Sequence, residues 1–175
     1  MIAPLLIFLT VGLIEMGIFM WNLSRTQSSV AGAIRTAGTQ SRVDGYEDQV
    51  SDILKAALVT GSARPISLVV FKADPATGRP TSLTAGTTDY TACSADCYVY
   101  TWSEITKAWS KASSPAWPAV QQRACGPASE TDFIGVWLKS RYKPITGYGM
   151  ATTFVARGVA RLEPVPLSTG QSCKP

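Results

Sequence analysis

The sequence predicts an α+β fold: a long N-terminal transmembrane and stalk helix, a short second helix, and a small antiparallel β-sheet head. Three observations predict it. The chain opens on an almost unbroken apolar run, MIAPLLIFLTVGLIEMGIFMW. A second segment, VDGYEDQVSDILKAALVTG, repeats its apolar residues at helical period. The rest alternates in short β-branched and aromatic stretches separated by Pro/Gly/Thr loops. The expected division is a transmembrane helix over residues 1–23, a helical stalk over 24–40 and an extracytoplasmic α+β head over 41–175.

The first run is long enough to span. A bilayer core of about 30 Å takes roughly 20 helical residues, and Met1 to Leu23 carries a single charge, Glu15. A secretory signal has a shorter apolar core, roughly 7–15 residues, closed by a small-residue cleavage site. None follows Trp21, so a retained anchor in membrane lipid is expected. Trp21 and Asn22 fall where an aromatic belt would lie, with Arg25 in the headgroup zone. Pro4 sits in the first turn, where its missing N–H costs little. Orientation is contested within the sequence. Arg25, Arg35 and Arg42 follow the span and nothing basic precedes it, which would hold the C-terminal part in the cytoplasm. The cysteines favour the opposite side, and a basic flank before Met1 would resolve the conflict.

Glu15 is costly in a membrane, about 2.5 kcal/mol or more when ionised at mid-bilayer. One reading is a protonated carboxyl bonded locally, to a backbone carbonyl or to a hydroxyl such as that of Thr10. The favoured reading is a polar partner on another chain, because intramembrane acids usually face protein. Gly12 and Gly17 flank Glu15 and would let a neighbouring helix approach. Beyond the membrane, NLSRTQSSVAGAIRTAG is free of proline and rich in small residues, and Gly38 is its expected stop.

In the head, Tyr46, Val50, Ile53, Leu54, Ala57 and Leu58 form one helical stripe, read as core. Asp44 is the expected N-cap, with Glu47 three residues on and Gly61 closing the segment. Strands are expected at Ile66–Ala73, Cys97–Trp102, Asp132–Pro144 and Ala151–Pro164. In the third, Ile134, Val136 and Leu138 share one face, and Phe133, Trp137 and Lys139 the other. The last is expected to bulge at Gly158 and to form a hairpin with its predecessor through ITGYG. The stretch from Glu104 to Gln122 is ambiguous, with a short helix expected from Pro118.

Cys93, Cys97, Cys125 and Cys173 all follow the span. Four cysteines allow three pairings. A disulfide framework in an oxidising compartment is the first reading, and proximity favours Cys93–Cys97 with Cys125–Cys173. The rival is a four-cysteine zinc site, which usually shows two close cysteine pairs; only one is present here.

Composition bears on function. The 16 Lys and Arg against 12 Asp and Glu give a net charge of +4 without any basic block, so no nucleic-acid partner is expected. There is no histidine, which removes the commonest general base and metal ligand. No phosphate-binding loop, nucleophile elbow or paired-carboxylate motif is present. An enzyme is not expected, and neither is a cofactor or a metal.

The segment APLLIFLTVGLIEMGIFMWN, followed by SSVAGAIRTAG, resembles the membrane segment of TadE-like proteins, minor pilin-like subunits of tight-adherence (Tad/Flp, type IVc) pilus systems. The Glu-x-Gly at Glu15 and Gly17 resembles that family's mid-helix acid. YEDQVSDILKAAL, CYVYT, FIGVWLKSRYKPITG and VARLEP, in that order, are similar to its actinobacterial branch. The resemblance implies a pilin-like fold and a prepilin trimmed by a peptidase. It implies partners among other pilin-like subunits and inner-membrane assembly platform proteins. The family's basic leader, cleavage-point Gly and Glu-Phe are not seen in this sequence. The competing functions are a membrane-anchored binding or adhesion module, using loops Asp74–Thr91 and Lys107–Pro118, and an accessory subunit of another membrane complex. The first of these draws on Trp102, Trp109 and Trp117, since aromatic residues are common in binding hot spots.

Overall fold

A computed structural model describes residues 3–40, 42–59, 62–112, 116–124, 131–145 and 151–164. Helix α1 (Ala3–Thr39) is continuous through the apolar run and the segment expected to form a stalk. Its two halves have different surroundings. Leu5, Phe8, Leu13 and Ile14 stand exposed, whereas Val30, Ala33, Ile34 and Ala37 are buried on one face. Asn22 and Thr26 are also buried, and their side chains donate back to the carbonyls of Ile18 and Asn22, both at 2.8 Å. Such back-bonding gives each of these two side chains an acceptor within the helix.

Helix α2 (Tyr46–Leu58) buries Tyr46, Val50, Leu54 and Leu58, with Ile53 partly covered. Its cap differs from expectation. Gly45, at φ 79°, occupies the N-cap position with no side-chain cap, because the chain enters the helix through a left-handed turn that glycine adopts without strain. Asp44 therefore does not cap, and Glu47 reaches Lys111 instead of closing a capping box. Gly61 lies outside the described residues.

The sheet is wholly antiparallel, in the order β3-β2-β1-β4-β5. The strands are β1 (Ala63–Ala73), β2 (Cys97–Ser103), β3 (Ala108–Lys111), β4 (Phe133–Tyr142) and β5 (Thr152–Arg161). β3 was not expected from sequence. β1 begins earlier than expected, with its register shifting between Pro65 and Ser67. A one-turn 3₁₀ helix at Ala119–Gln121 stands where a short helix was expected after Pro118. The ITGYG turn is described only at Ile145; β4 and β5 pair from Tyr142↔Thr152 onward.

The sheet carries a core on each face. Leu68, Val70, Ile134, Val136 and Leu138 pack against both helices, while Phe71, Trp137, Tyr90 and the Cys93/Cys97 pair fill the other side. The alternation read in β4 is thus two-sided burial. Gly158 forms no bulge, since Val136↔Gly158 is a regular pair. Its role is close approach: a Cβ there would fall 2.4 Å from Ile34 Cδ1. Gly135 likewise makes room for the Phe71 ring, 2.3 Å from where a Cβ would stand.

Helix α1 runs parallel to β5. Phe19 meets Tyr142 and Phe154 edge-on, at 5.4 and 6.1 Å between ring centroids. Ile34 lies over Gly158, and Gly38 lies beside the Arg161 carbonyl, with Glu163 donating to the Gly38 carbonyl at 2.9 Å. The uncovered half of α1 therefore leaves the head at the end where β4 stops and β5 starts.

Candidate functional site: the collar where the helix leaves the head

Glu15 sits at this exit. Its Oε1 accepts from the Tyr142 hydroxyl and, at 3.1 Å, from the Ile145 amide. Both donors belong to the chain's own head, at the end of β4. Phe19, one turn further along α1, packs edge-on against the same Tyr142 ring. Burial raises the Tyr142 phenol to about 12, and the Glu15 carboxylate pushes it the same way, so the hydroxyl stays a donor at neutral pH. A carboxylate accepting from a phenol and a backbone amide makes charge-assisted bonds, stronger than neutral ones. The Thr10 hydroxyl turns back to the carbonyls of Leu6 and Ile7 instead of serving Glu15.

Gly12 and Gly17 flank this collar with open space: a Cβ at either would meet nothing within 4 Å. They are thus not required by contacts among the described residues. The segment from Ala3 to Ile14 extends roughly 18 Å past the collar at about 1.5 Å per residue. Arg25 lies 5.4 Å over the Trp21 ring, on the head side of the collar.

Cys93 and Cys97 form a disulfide. It closes the entry to β2 and is buried against Phe71, Tyr90 and Trp137. The bond uses two of the thiols that a four-cysteine zinc site would need. Cys125 and Cys173 lie outside the described residues. Among the described residues no cluster of three or more Cys, Asp and Glu could hold a metal ion.

Of the tryptophans proposed for a contact loop, one is buried and two are half-buried against each other. Trp117 is buried, and Trp102 and Trp109 meet edge-on at 5.0 Å while the Trp109 indole donates to the Ser51 carbonyl at 3.0 Å. The loop after β1 is held by its own side chains. Asp74 accepts from the amides of Ala76 and Thr77, and Asp89 pairs with Lys139 at 2.8 Å. Lys139, then Thr91, hold the Asp89 carboxyl down to about 2. Lys111 of β3 pairs with Glu47 at 2.7 Å and lies 4.5 Å over the Tyr98 ring, tying the edge strand to α2. These groups join elements of the head to one another.

Sequence reasoning singled out Glu15, Gly12 and Gly17 but missed Tyr142 and Ile145. Local pattern carries no signal for a hydrogen bond between residues 127 apart. No family model, curated protein or solved structure matches the chain.

Proposed function

We propose that this chain is a TadE-like, pilin-like structural subunit, anchored by a single pass, that acts in assembly or initiation of a Tad/Flp pilus. The observation that carries the reading is the division of α1. One continuous helix contributes its C-terminal half to the core of a folded head and leaves its N-terminal half apolar and uncovered. That uncovered half belongs to a helix long and apolar enough to cross a membrane. A soluble domain gains nothing from exposing such a face, whereas a subunit that meets lipid and neighbouring helices requires it. The disulfide favours a head on the oxidising side. In this reading the protein works by contact with other pilin-like subunits and platform proteins and turns over no substrate. The open Gly12 and Gly17 are the helix positions that neighbours would meet, beside Glu15, whose carboxylate would serve a neighbour in addition to Tyr142 and Ile145.

The test is genetic. Deleting the gene from its native host should abolish or sharply reduce piliation. Glu15→Ala should fail to restore it although the protein accumulates, while the parent restores it fully. Normal piliation in the deletion strain would overturn the pilus role. Full restoration by both Glu15→Ala and Glu15→Gln would remove Glu15 from the contact.

A further inference from the structure

We propose that the end of the head from which α1 emerges is a docking surface for anionic phospholipid headgroups. The inference rests on the anchor reading above and adds a second, peripheral contact to it. At this end β1 begins, β2 turns into β3, β4 stops and β5 starts. The topology therefore gathers residues 62–65, 103–108 and 141–145, which are remote in sequence. Their charged side chains are Arg64, Lys107, Arg141 and Lys143 against Glu104, and Glu15 of α1 adds a second carboxylate at this end, held by Tyr142 and Ile145. The five charged residues of the head are exposed.

Their placement breaks a rule of sheet construction. Arg64 and Arg141 are direct partners in the β1–β4 register. Arg141 follows Trp137 and Lys139 on the face away from the helices, so both guanidinium groups stand on that face. Like charges directly opposite one another destabilise an antiparallel pair. Glu104 offsets this only partly, because it is divided between Arg64 at 2.7 Å and Lys107 at 2.5 Å. Among the described residues no carboxylate lies within ion-pair distance of Arg141 or Lys143. Groups that break a local rule with only partial internal compensation are the kind expected at functional or strained sites.

The cations border a groove of about 670 Å³ whose apolar wall includes Pro65, Ile66 and Trp102. Beside it, Ile105 is 95 % exposed at the tip of the β2–β3 turn, and Ile145 is 63 % exposed after β4. Apolar tips among uncompensated cations suit the bilayer interface, where the tips meet the acyl boundary and the cations meet phosphates. The opposite end of the sheet is close to charge balance, with Asp74, Asp96, Asp132 and Glu163 set against Lys72, Lys111 and Arg161 at the strand ends. The excess of cations, with Ile105 and Ile145 beside them, thus marks the end that the free helix would hold against the membrane.

The test uses the full chain in lipid nanodiscs, with isoleucine and alanine methyl groups labelled for NMR. A spin label on the acyl chain should broaden Ile7, which checks the anchor. A gadolinium chelate on the headgroup should broaden Ile105 and Ile145 more than Ala95 at the opposite end. That excess should rise severalfold when part of the phosphatidylcholine is replaced by phosphatidylglycerol, since each basic side chain near an anionic surface adds about fivefold to the docked population. The triple variant Arg64→Gln, Arg141→Gln, Lys143→Gln should lose the dependence on phosphatidylglycerol while the buried Ile134 methyl keeps its shift. If Ile7 broadens but Ile105 and Ile145 respond equally to both lipids, or the variant behaves as the parent does, the docking surface is wrong. If Ile7 does not broaden, the anchor reading fails and the docking surface falls with it.

Discussion

Apolar residues occur in both halves of α1 and meet opposite surroundings. Ile14 and Ile34 lie on the same helix; one is 60 % exposed and the other 4 %. Gly17 has nothing within 4 Å of a notional Cβ, while Gly158, across from Ile34, has no room for one. The head's own packing therefore accounts for the C-terminal half of α1 residue by residue, and not for the apolar and small residues of the N-terminal half. Among the described residues nothing covers them.

The largest expected effect comes from exchanging the two isoleucines. Ile34→Ala should cost the head about 2–5 kcal/mol, the usual range for a large-to-small change in a packed core. Ile14→Ala should leave unfolding of the head unchanged. Denaturant melts in detergent, followed by tryptophan fluorescence, check both, and equal losses would erase the distinction between the halves.

A smaller effect sharpens the same comparison through glycine. Gly158→Val should destabilise by about 1–3 kcal/mol through overpacking against Ile34, and adding Ile34→Val should recover part of that loss. Gly12→Ala and Gly17→Ala should not destabilise the isolated chain. If they impair piliation all the same, the open space beside them is used by a neighbour. Thermal melts of the single and double variants, set beside pilus counts for the helix variants, separate the two cases.

Much of the head was legible because its signals are local. The α2 stripe reports which face is buried and the β4 alternation which residues share a face, and both fell where the pattern put them. Other features depend on residues far off in the chain. Gly158 in a strand reads equally as a bulge or as a close approach, and only Ile34 decides which. AWSK carries little strand signal; it becomes β3 because it pairs with β2 and Lys111 reaches Glu47 on α2. Asp44 resembled a cap until Gly45 took the turn. Glu15 stood out as an acid in an apolar run, yet its partners Tyr142 and Ile145 were beyond the reach of any window.

The smallest expected effect lies wholly within the head. Asp89 titrates at about 2 because Lys139 and Thr91 favour its ionised form. A carboxyl depressed on folding contributes stability above its unfolded pKa of about 3.9 and loses it as pH falls through the folded value. Parent and Asp89→Asn should therefore differ modestly at pH 5 and converge toward pH 2, the pair being partly exposed and screened. Paired melts across that range would show it, and a difference that grows on acidification would contradict the assignment.

The central claim is that the uncovered half of α1 lies in lipid. Flotation of membranes from cells expressing the full chain, after washing in alkaline carbonate, tests it most directly. The chain should rise with the lipid and enter solution only with detergent. Recovery in the wash as a monodisperse soluble protein would contradict it.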